Sequence, residues 1–341
     1  MDVTVRPRGS NPRATGRRAS TLDGRGLIRS TVVLAVARAG CASDSNAREW
    51  GRVTYARPTN AGAPAHASDD VSTHGVRKII LLTLAWEDVP KSVSIHGATS
   101  LERLLEPVPG ILLETDGGWL LLDTGYNTAL LRDPHLRRRF YPDVAHLPVM
   151  VEQGEPLEVA LDKVGIDIDQ IHTVGLSHLH LDHAGGLKLF AGRVPIHVQR
   201  EELSWGLGGH PRPEEHHIFR LDFDDPKIEW RLADGDATIA TGVRAIATPG
   251  HTVGHQSFVV DLDDSVGGGG FVFAFDAADL SENIDDELAV GSFIDVEPEE
   301  TIDQIRRLKS LAAARGYQLI PGHDPVVWPR LTSELATRFS G

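Results

Sequence analysis

The segment His178–His183 constrains this chain more than any other feature of its 341 residues. It reads His-Leu-His-Leu-Asp-His and follows a strand-like run, Ile171–Ser177. Neutral imidazole and carboxylate groups are the ligands that Zn²⁺ and similar divalent ions prefer. Neither a helix face nor a strand face presents four such groups to one ion. The spacing therefore predicts an irregular turn from strand to helix that divides the four groups between two ions.

Three further segments each place a His or Asp at the end of a short, apolar, strand-like run. These residues are His251, Asp276 and His323. In layered α/β folds, ligands collect at strand ends, so the three side chains are candidates to complete the site. His255 lies four residues after His251 and has two readings. It either holds a metal ligand in place or packs at the start of a strand.

The first 75 residues differ in composition from the rest and are rich in Arg, Ala, Gly, Ser and Pro. Residues 1–70 carry 11 basic and 6 acidic residues, whereas residues 71–341 carry 23 and 42. We predict a disordered or targeting extension over 1–75 and a catalytic domain over 76–341. The apolar run Thr31–Ala37 before Cys41 leaves export open as an alternative to the predicted cytoplasmic location.

The charge and cysteine content exclude several classes of protein. The acidic body argues against a nucleic-acid partner, because phosphate recognition needs a positive surface. No apolar run approaches the roughly 18 residues needed to span a bilayer. Cys41 is the only cysteine, so the chain cannot form an internal disulfide.

Downstream of the extension, short strand-like segments alternate with helices. We predict strands at Arg77–Trp86, Ile111–Glu114, Trp119–Asp123, Ile171–Leu176, Pro195–Gln199, Val243–Ala247, Ser257–Leu262, Phe271–Phe275 and Tyr317–Ile320, and helices at Glu155–Val164, from about Arg200, and at Pro298–Arg315. Asp123 ends one strand near the expected metal site. It is either an orienting partner of a ligand His or a polar turn residue.

The order His178-x-His180-x-Asp182-His183, then His251, Asp276 and His323, resembles that of the metal ligands in the metallo-β-lactamase superfamily. Within it, the runs 177–186 and 248–257 are most similar to the N-acyl-homoserine lactonases, and the resemblance extends over residues 77–330. It implies an α/β fold, the four-layer αβ/βα sandwich, with two divalent metal ions that we predict to be Zn²⁺. His178, His180 and His251 would hold one ion and Asp182, His183 and His323 the other, with Asp276 bridging them.

The resemblance further implies a hydrolase that opens a lactone ring, with an N-acyl-homoserine lactone as the small-molecule substrate. A hydroxide between the metals would attack the carbonyl, and Asp182 would pass a proton to the leaving alkoxide. A different lactone, ester or thioester at the same site is the main alternative. A redox di-iron site is disfavoured by His180, where such relatives carry a carboxylate. A homodimer is compatible with the resemblance.

Two positions depart from the lactonase pattern. Asp279 stands where these lactonases carry a Tyr that helps to hold the lactone, so we assign Asp279 to the catalytic site. A carboxylate cannot donate a hydrogen bond to an ester unless it is protonated. Leu181 replaces a commonly aromatic residue. Two polar segments, Arg132–Val151 and Ser204–Phe223, are predicted either to roof the site or to be surface insertions. His216 and His217 lie in the second and are not assigned as ligands.

Overall fold

The computed structural model describes residues 75–140, 149–150, 154–209, 217–292 and 296–339. The predicted extension and its export alternative therefore lie outside the described residues, apart from Gly75. Of the predicted loop 132–151, residues 132–140 and 149–150 are described. Within the described ranges, no helix is both long enough and apolar enough to cross a bilayer.

A seven-stranded sheet carries the first half of the site. Its strands are β1 (Lys78–Pro90), β2 (Arg103–Thr115), β3 (Gly118–Leu122), β4 (Val149–Met150), β5 (Ile171–Gly175), β6 (Pro195–Gln199) and β7 (Glu229–Ala233). They lie in the order β4-β1-β2-β3-β5-β6-β7. β3, β5, β6 and β7 run parallel, whereas β4, β1, β2 and β3 pair antiparallel. The parallel strands therefore end at one edge, where β5 leads into the histidine-rich turn.

A five-stranded sheet carries the remaining ligand-bearing loops. It consists of β8 (Ala237–Ala240), β9 (Val243–Ala247), β10 (Gln256–Asp261), β11 (Gly270–Phe275) and β12 (Gln318–Pro321), in the order β12-β11-β10-β9-β8. β11 and β12 are parallel and the other pairs are antiparallel. Asp276 and His323 therefore emerge from the same ends of neighbouring strands.

Helices flank the two sheets. They are α1 (Thr128–Arg132), α2 (Pro134–Phe140), α3 (Pro156–Val164), α4 (Leu181–Ala184), α5 (Arg200–Ser204), α6 (Arg220–Phe223), α7 (Ser281–Asp285), α8 (Pro298–Arg315) and α9 (Val327–Arg338). Helices α3 and α8 pack on outer faces, whereas α9 packs against the core between the sheets. The predicted bounds of α8 are confirmed: Pro298 opens it and Gly316, with φ of 66°, follows its end. Its buried face is formed by Thr301, Ile305, Leu308 and Ala312. Ile302 and Leu311 have the same helical spacing as Ile305 and Leu308 but are only half-buried.

Side chains alternate between the two faces of each strand, so three apolar cores form between the four layers of helices and sheets. On β10, Phe258 and Val260 face the core between the sheets, whereas Val259 faces the core under α8. On the first sheet, Leu113 faces the inter-sheet core, and Leu112 faces the third core with α3. The predicted αβ/βα sandwich is therefore confirmed.

Candidate metal centre

The turn between β5 and α4 is fixed by Asp123, which follows β3. β3 and β5 are adjacent and parallel, so Asp123 lies beside Ser177. Its Oδ1 accepts the Ser177 backbone N–H at 2.7 Å, and its Oδ2 accepts the Ser177 hydroxyl at 2.6 Å. His183 Nδ1 donates to the same Oδ2 at 2.6 Å. Of the two predicted roles of Asp123, the contacts therefore support that of an orienting partner of a ligand His over that of a polar turn residue.

The partners of four histidines select the tautomer that leaves Nε2 free to bind a metal. His178 Nδ1 lies 2.9 Å from Ser177 Oγ, which donates its own proton to Asp123. His251 Nδ1 and His323 Nδ1 face the carbonyl oxygens of Ser292 and Pro107, each at 2.9 Å. A carbonyl or carboxylate can only accept, so each Nδ1 carries the proton. The same holds for His183, whose Nδ1 faces Asp123.

All seven predicted ligand residues converge, in two groups. One group is His178, His180, His251 and Asp276, and the other is Asp182, His183 and His323, with ligand atoms of each group within 4.8 Å of one another. The groups adjoin at Asp276. Its Oδ2 lies 3.3 Å from His251 Nε2, and its Oδ1 lies 3.1 Å from His323 Nε2. One carboxylate oxygen thus faces each group, as a bridging ligand requires.

Buried nitrogen atoms without partners support a metal at this site. His178 Nε2 and His183 Nε2 are buried and make no well-aligned hydrogen bond among the described residues, although Asp182 Oδ2 lies 3.0 Å from His183 Nε2. Leaving such an atom unpaired costs about 1–3 kcal/mol. A cation bound between the groups would satisfy both atoms. The donor set of imidazoles and carboxylates fits divalent metals, so the centre supports binding of such ions.

The two groups differ in electrostatics. Burial, and then the neighbouring imidazoles, hold the pKa values of His178 and His180 well below their usual range. Burial also opposes the charged form of His183, but Asp182 and Asp276 outweigh it and raise its pKa well above the usual value. Asp276 shows the reverse, because the positive charge of nearby imidazoles outweighs burial and lowers its pKa. Asp182 and Asp276 therefore stabilise positive charge at the second group.

One pocket of about 140 Å³ opens onto both groups. Its lining includes five acidic residues, Glu87, Glu106, Asp182, Asp276 and Asp279, together with the aromatic ring of Tyr126. Glu87 and Glu106 pair across β1 and β2. Ser94 Oγ donates to Glu106 at 2.6 Å, and burial raises the pKa of Glu106 to about 7. Glu87, Glu106 and Tyr126 were not among the predicted site residues.

Asp279 lies in the pocket wall, where the resemblance places the lactone. It is buried, and its Oδ1 has no hydrogen-bond partner in the described part of the chain. Its backbone oxygen accepts the His323 N–H at 2.8 Å, which ties the two segments together. Burial, followed by repulsion from Asp276, raises the pKa of Asp279 well above its usual range. A protonated Asp279 could donate a hydrogen bond, which an ionised one could not.

Two other histidines lie near the centre without joining either group. His255 is buried, and its Nδ1 lies 2.9 Å from Thr248 Oγ1. Its ring centroid is 5.2 Å from that of His178, so it packs behind a predicted ligand. His217 lines the pocket. His216 lies outside the described residues, as does much of the predicted loop 204–223.

Comparisons with known proteins agree with this geometry. Residues 105–323 match the family model of the metallo-beta-lactamase superfamily. The chain is 32% identical over 232 residues to the N-acyl homoserine lactonase AiiA of Bacillus thuringiensis subsp. kurstaki, covering 68% of this chain and 87% of that relative. It is 31% identical over 239 residues to the lactonase AttM of Azorhizobium caulinodans, covering 65% and 84%.

A solved structure of an N-acyl homoserine lactone hydrolase superposes with a TM-score of 0.64 at 27% identity. It covers 76% of this chain and 96% of the other, and it has the product N-hexanoyl-L-homoserine bound at its catalytic metal centre. The present chain belongs to the metallo-beta-lactamase superfamily.

Proposed function

We propose that this chain is a metal-dependent lactonase that hydrolyses N-acyl-homoserine lactones and so quenches quorum signals. The observation that carries the proposal is Asp276, whose two oxygens face two complete ligand groups at the floor of one pocket. The relatives at about 30% identity are N-acyl homoserine lactonases, which supports the same activity. The catalytic unit would be residues 76–341.

The seven ligand assignments are part of this proposal. His178, His180 and His251 would hold one divalent ion and Asp182, His183 and His323 the other, with Asp276 shared. We propose Zn²⁺ for both ions, because imidazole and carboxylate ligands suit it. When bound, such ions polarise a carbonyl and lower the pKa of water to about 7.

The chain's own residues would position the lactone and move the proton. Asp182 lines the pocket, and its Oδ2 lies 3.0 Å from His183 Nε2. It would accept a proton from the attacking water and deliver it to the ring oxygen as the ester bond breaks. Val89, Val93 and Leu181 supply apolar pocket wall for the start of an acyl chain.

Tyr126 is our candidate for the residue that donates a hydrogen bond to the substrate. An ionised Asp279 cannot make that bond. It lines the pocket, and within the described residues its hydroxyl makes no hydrogen bond. Tyr126 keeps 5% of its surface exposed at the pocket that it lines. A phenol at this position can donate to a carbonyl or amide oxygen of the substrate.

A different lactone, ester or thioester is the second candidate, and Asp279 favours it. Together with Glu87 and Glu106, Asp279 makes the pocket wall more acidic than a fatty acyl chain requires. Such a wall would suit a substrate with more polar hydrogen-bond donors.

A hydrolysis panel tests the proposal. Metal-loaded protein is assayed with a pH indicator against acyl-homoserine lactones of short and long chains, simple γ-lactones, esters, thioesters and β-lactams. We expect the highest kcat/KM for acyl-homoserine lactones. Cleavage of esters or thioesters without lactones would favour the second candidate. Cytoplasmic location and a homodimer stay predictions, which fractionation and light scattering would test.

A further inference from the structure

Glu202 is a buried carboxylate that connects the two loops bearing the histidines of the first group. It lies on α5 and has no exposed surface. Its Oε1 accepts the backbone N–H of Leu179 at 2.9 Å, and its Oε2 accepts that of Gly254, also at 2.9 Å. Leu179 stands between His178 and His180, and Gly254 lies three residues after His251. One side chain therefore reaches both loops.

The backbone packs tightly around this carboxylate. A Cβ atom added at Gly254 would lie 2.4 Å from Glu202 N and 2.6 Å from Glu202 Cβ, so any larger residue forces the loop away from α5. Leu179 is fully buried on the other side. A Cβ added at Gly206, after α5, would lie 2.6 Å from Leu179 Cδ1. The loops are thus fitted to α5 at both ends of the carboxylate.

Charge balance does not account for Glu202. Within the described residues, no Lys, Arg or His forms an ion pair with it, and burial raises its pKa to about 7. Burying a carboxyl group is unfavourable unless hydrogen bonds compensate it. The bonds that do so come from the backbone of Leu179 and Gly254, and the side chain of Thr252, which lies in the same loop as Gly254, also favours the charged form. The contacts that make Glu202 tolerable in the core are the contacts that fix the loops.

We propose that Glu202 is a positioning residue for the three-histidine group. It would hold the Leu179 and Gly254 loops at the spacing that brings His180 Nδ1 to 2.8 Å from His251 Nε2. The second group is oriented by different partners, since His183 donates to Asp123 and His323 to the Pro107 carbonyl. The inference rests on the proposed metal centre. It predicts that the two ions respond differently to a change at Glu202.

The test is a metal titration of apo-protein with Zn²⁺ against a chromophoric chelator, for wild type and Glu202→Gln. The amide keeps the size of the side chain, but its NH₂ group cannot accept an N–H bond. We expect one of the two dissociation constants to rise about 10–100-fold, the range seen when a partner of a ligand is lost. The other should change less than about 3-fold. The step that Asp123→Asn weakens more identifies the second group's ion, because Asp123 accepts directly from His183 and reaches His178 only through Ser177.

Two further variants keep the experiment decisive. Glu201→Gln alters an exposed neighbour on the same helix and should bind both ions as wild type does. Gly254→Ala disturbs the same contact from the other loop, and it should weaken the same ion as Glu202→Gln. It decides the question if Glu202→Gln does not fold, as judged by thermal melting.

Wild-type affinity for both ions in a folded variant, or equal weakening of both, would overturn the role of Glu202. The readout needs no substrate, so its failure is separable from that of the proposed function. Wild-type protein that binds two ions but cleaves no lactone would refute only the lactonase proposal.

Discussion

The two ligand groups are held by different kinds of interaction. The three histidines of the first group sit on two loops tied by backbone hydrogen bonds to Glu202, and the pKa values of these histidines are lowered. In the second group, carboxylates raise the pKa values of His183 and His323. The first group thus holds neutral imidazoles in place through backbone contacts, whereas the carboxylates of the centre stabilise positive charge at the second group. Substitutions at the residue that both groups share, and at residues that contact mainly one group, should separate the contributions of the two groups.

Asp276 is the shared residue, and its loss should have the largest effect. Asp276→Asn removes the charge and replaces one bridging oxygen by an amide nitrogen that cannot bind a cation. We expect loss of at least one of the two ions and a fall in kcat of about 10³-fold, since bound metals stabilise the transition state by several kcal/mol. Elemental analysis and the lactone assay measure both. Retention of both ions would show that the bridge is misplaced.

Asp123 accepts directly from His183 of the second group and reaches His178 of the first group only through Ser177. Asp123→Asn places an amide NH₂, which cannot accept a hydrogen bond, at one of the two oxygen positions. It then faces either His183 and the Ser177 hydroxyl or the Ser177 backbone N–H. We expect the affinity for the second ion to fall about 10–100-fold, and the affinity for the first ion, which Asp123 supports only through Ser177, to fall less. Metal titration of the apo-protein checks this. Asp116→Asn, at an exposed turn, is the matched control. Equal loss of both ions would contradict the division into independently held groups.

The sequence predicted the groups well because each ligand follows a strand. The chain leaves a sheet where a strand ends. His178, Asp276 and His323 each follow an apolar strand-like run, so their positions at a sheet edge were predictable. The bounds of α8 were predictable for a similar reason, because Pro298 and Gly316 mark its ends chemically.

The pocket wall was harder to predict. The first half of β2, Arg103–Gly110, contains Pro107 and Pro109, which argue against a strand. The structure tolerates them because β3 pairs only with Ile111–Thr115, so one edge of that half is open. Glu106 lies in this half, and its position opposite Glu87 depends on the register of β1 and β2. No local pattern encodes that register, and none marks the contact of Glu202 with Gly254. α9 was missed although Trp328, Leu331 and Leu335 have helical spacing.

A substitution in the pocket wall should lower the turnover of substrate and leave the metal affinities unchanged, unlike a substitution in either ligand group. Tyr126→Phe removes one hydroxyl and keeps the ring. We expect kcat/KM for an acyl-homoserine lactone to fall about 10-fold, the value of one hydrogen bond of about 1–1.5 kcal/mol. Both metal affinities should remain those of wild type, which titration verifies. An unchanged kcat/KM would assign substrate donation to another group, with a protonated Asp279 as the next residue to test.

Asp222, a buried carboxylate outside both groups, shows what burial does without a metal. It lies on α6 and accepts one hydrogen bond from Asn127 Nδ2 at 2.6 Å. Its Oδ2 has no partner among the described residues. Burial raises its pKa from 3.8 to about 7, against the opposing effects of Asn127 and Lys188. The folded state therefore binds a proton more tightly than the unfolded state does.

This difference sets the sign of the expected pH dependence. Between pH 4 and pH 7 the folded chain keeps the Asp222 proton that the unfolded chain releases, so the free energy of unfolding falls as pH rises. Asp222→Asn keeps the bond from Asn127 and has no such proton. From pH 5 to pH 8 the wild type should lose about 2–3 kcal/mol relative to the variant, at about 1.4 kcal/mol per pKa unit. Urea denaturation of the metal-loaded proteins at both pH values measures this. Parallel pH profiles would mean that Asp222 is ionised in the folded protein, in which case burial alone does not explain the raised pKa values of the carboxyl groups around the metal centre.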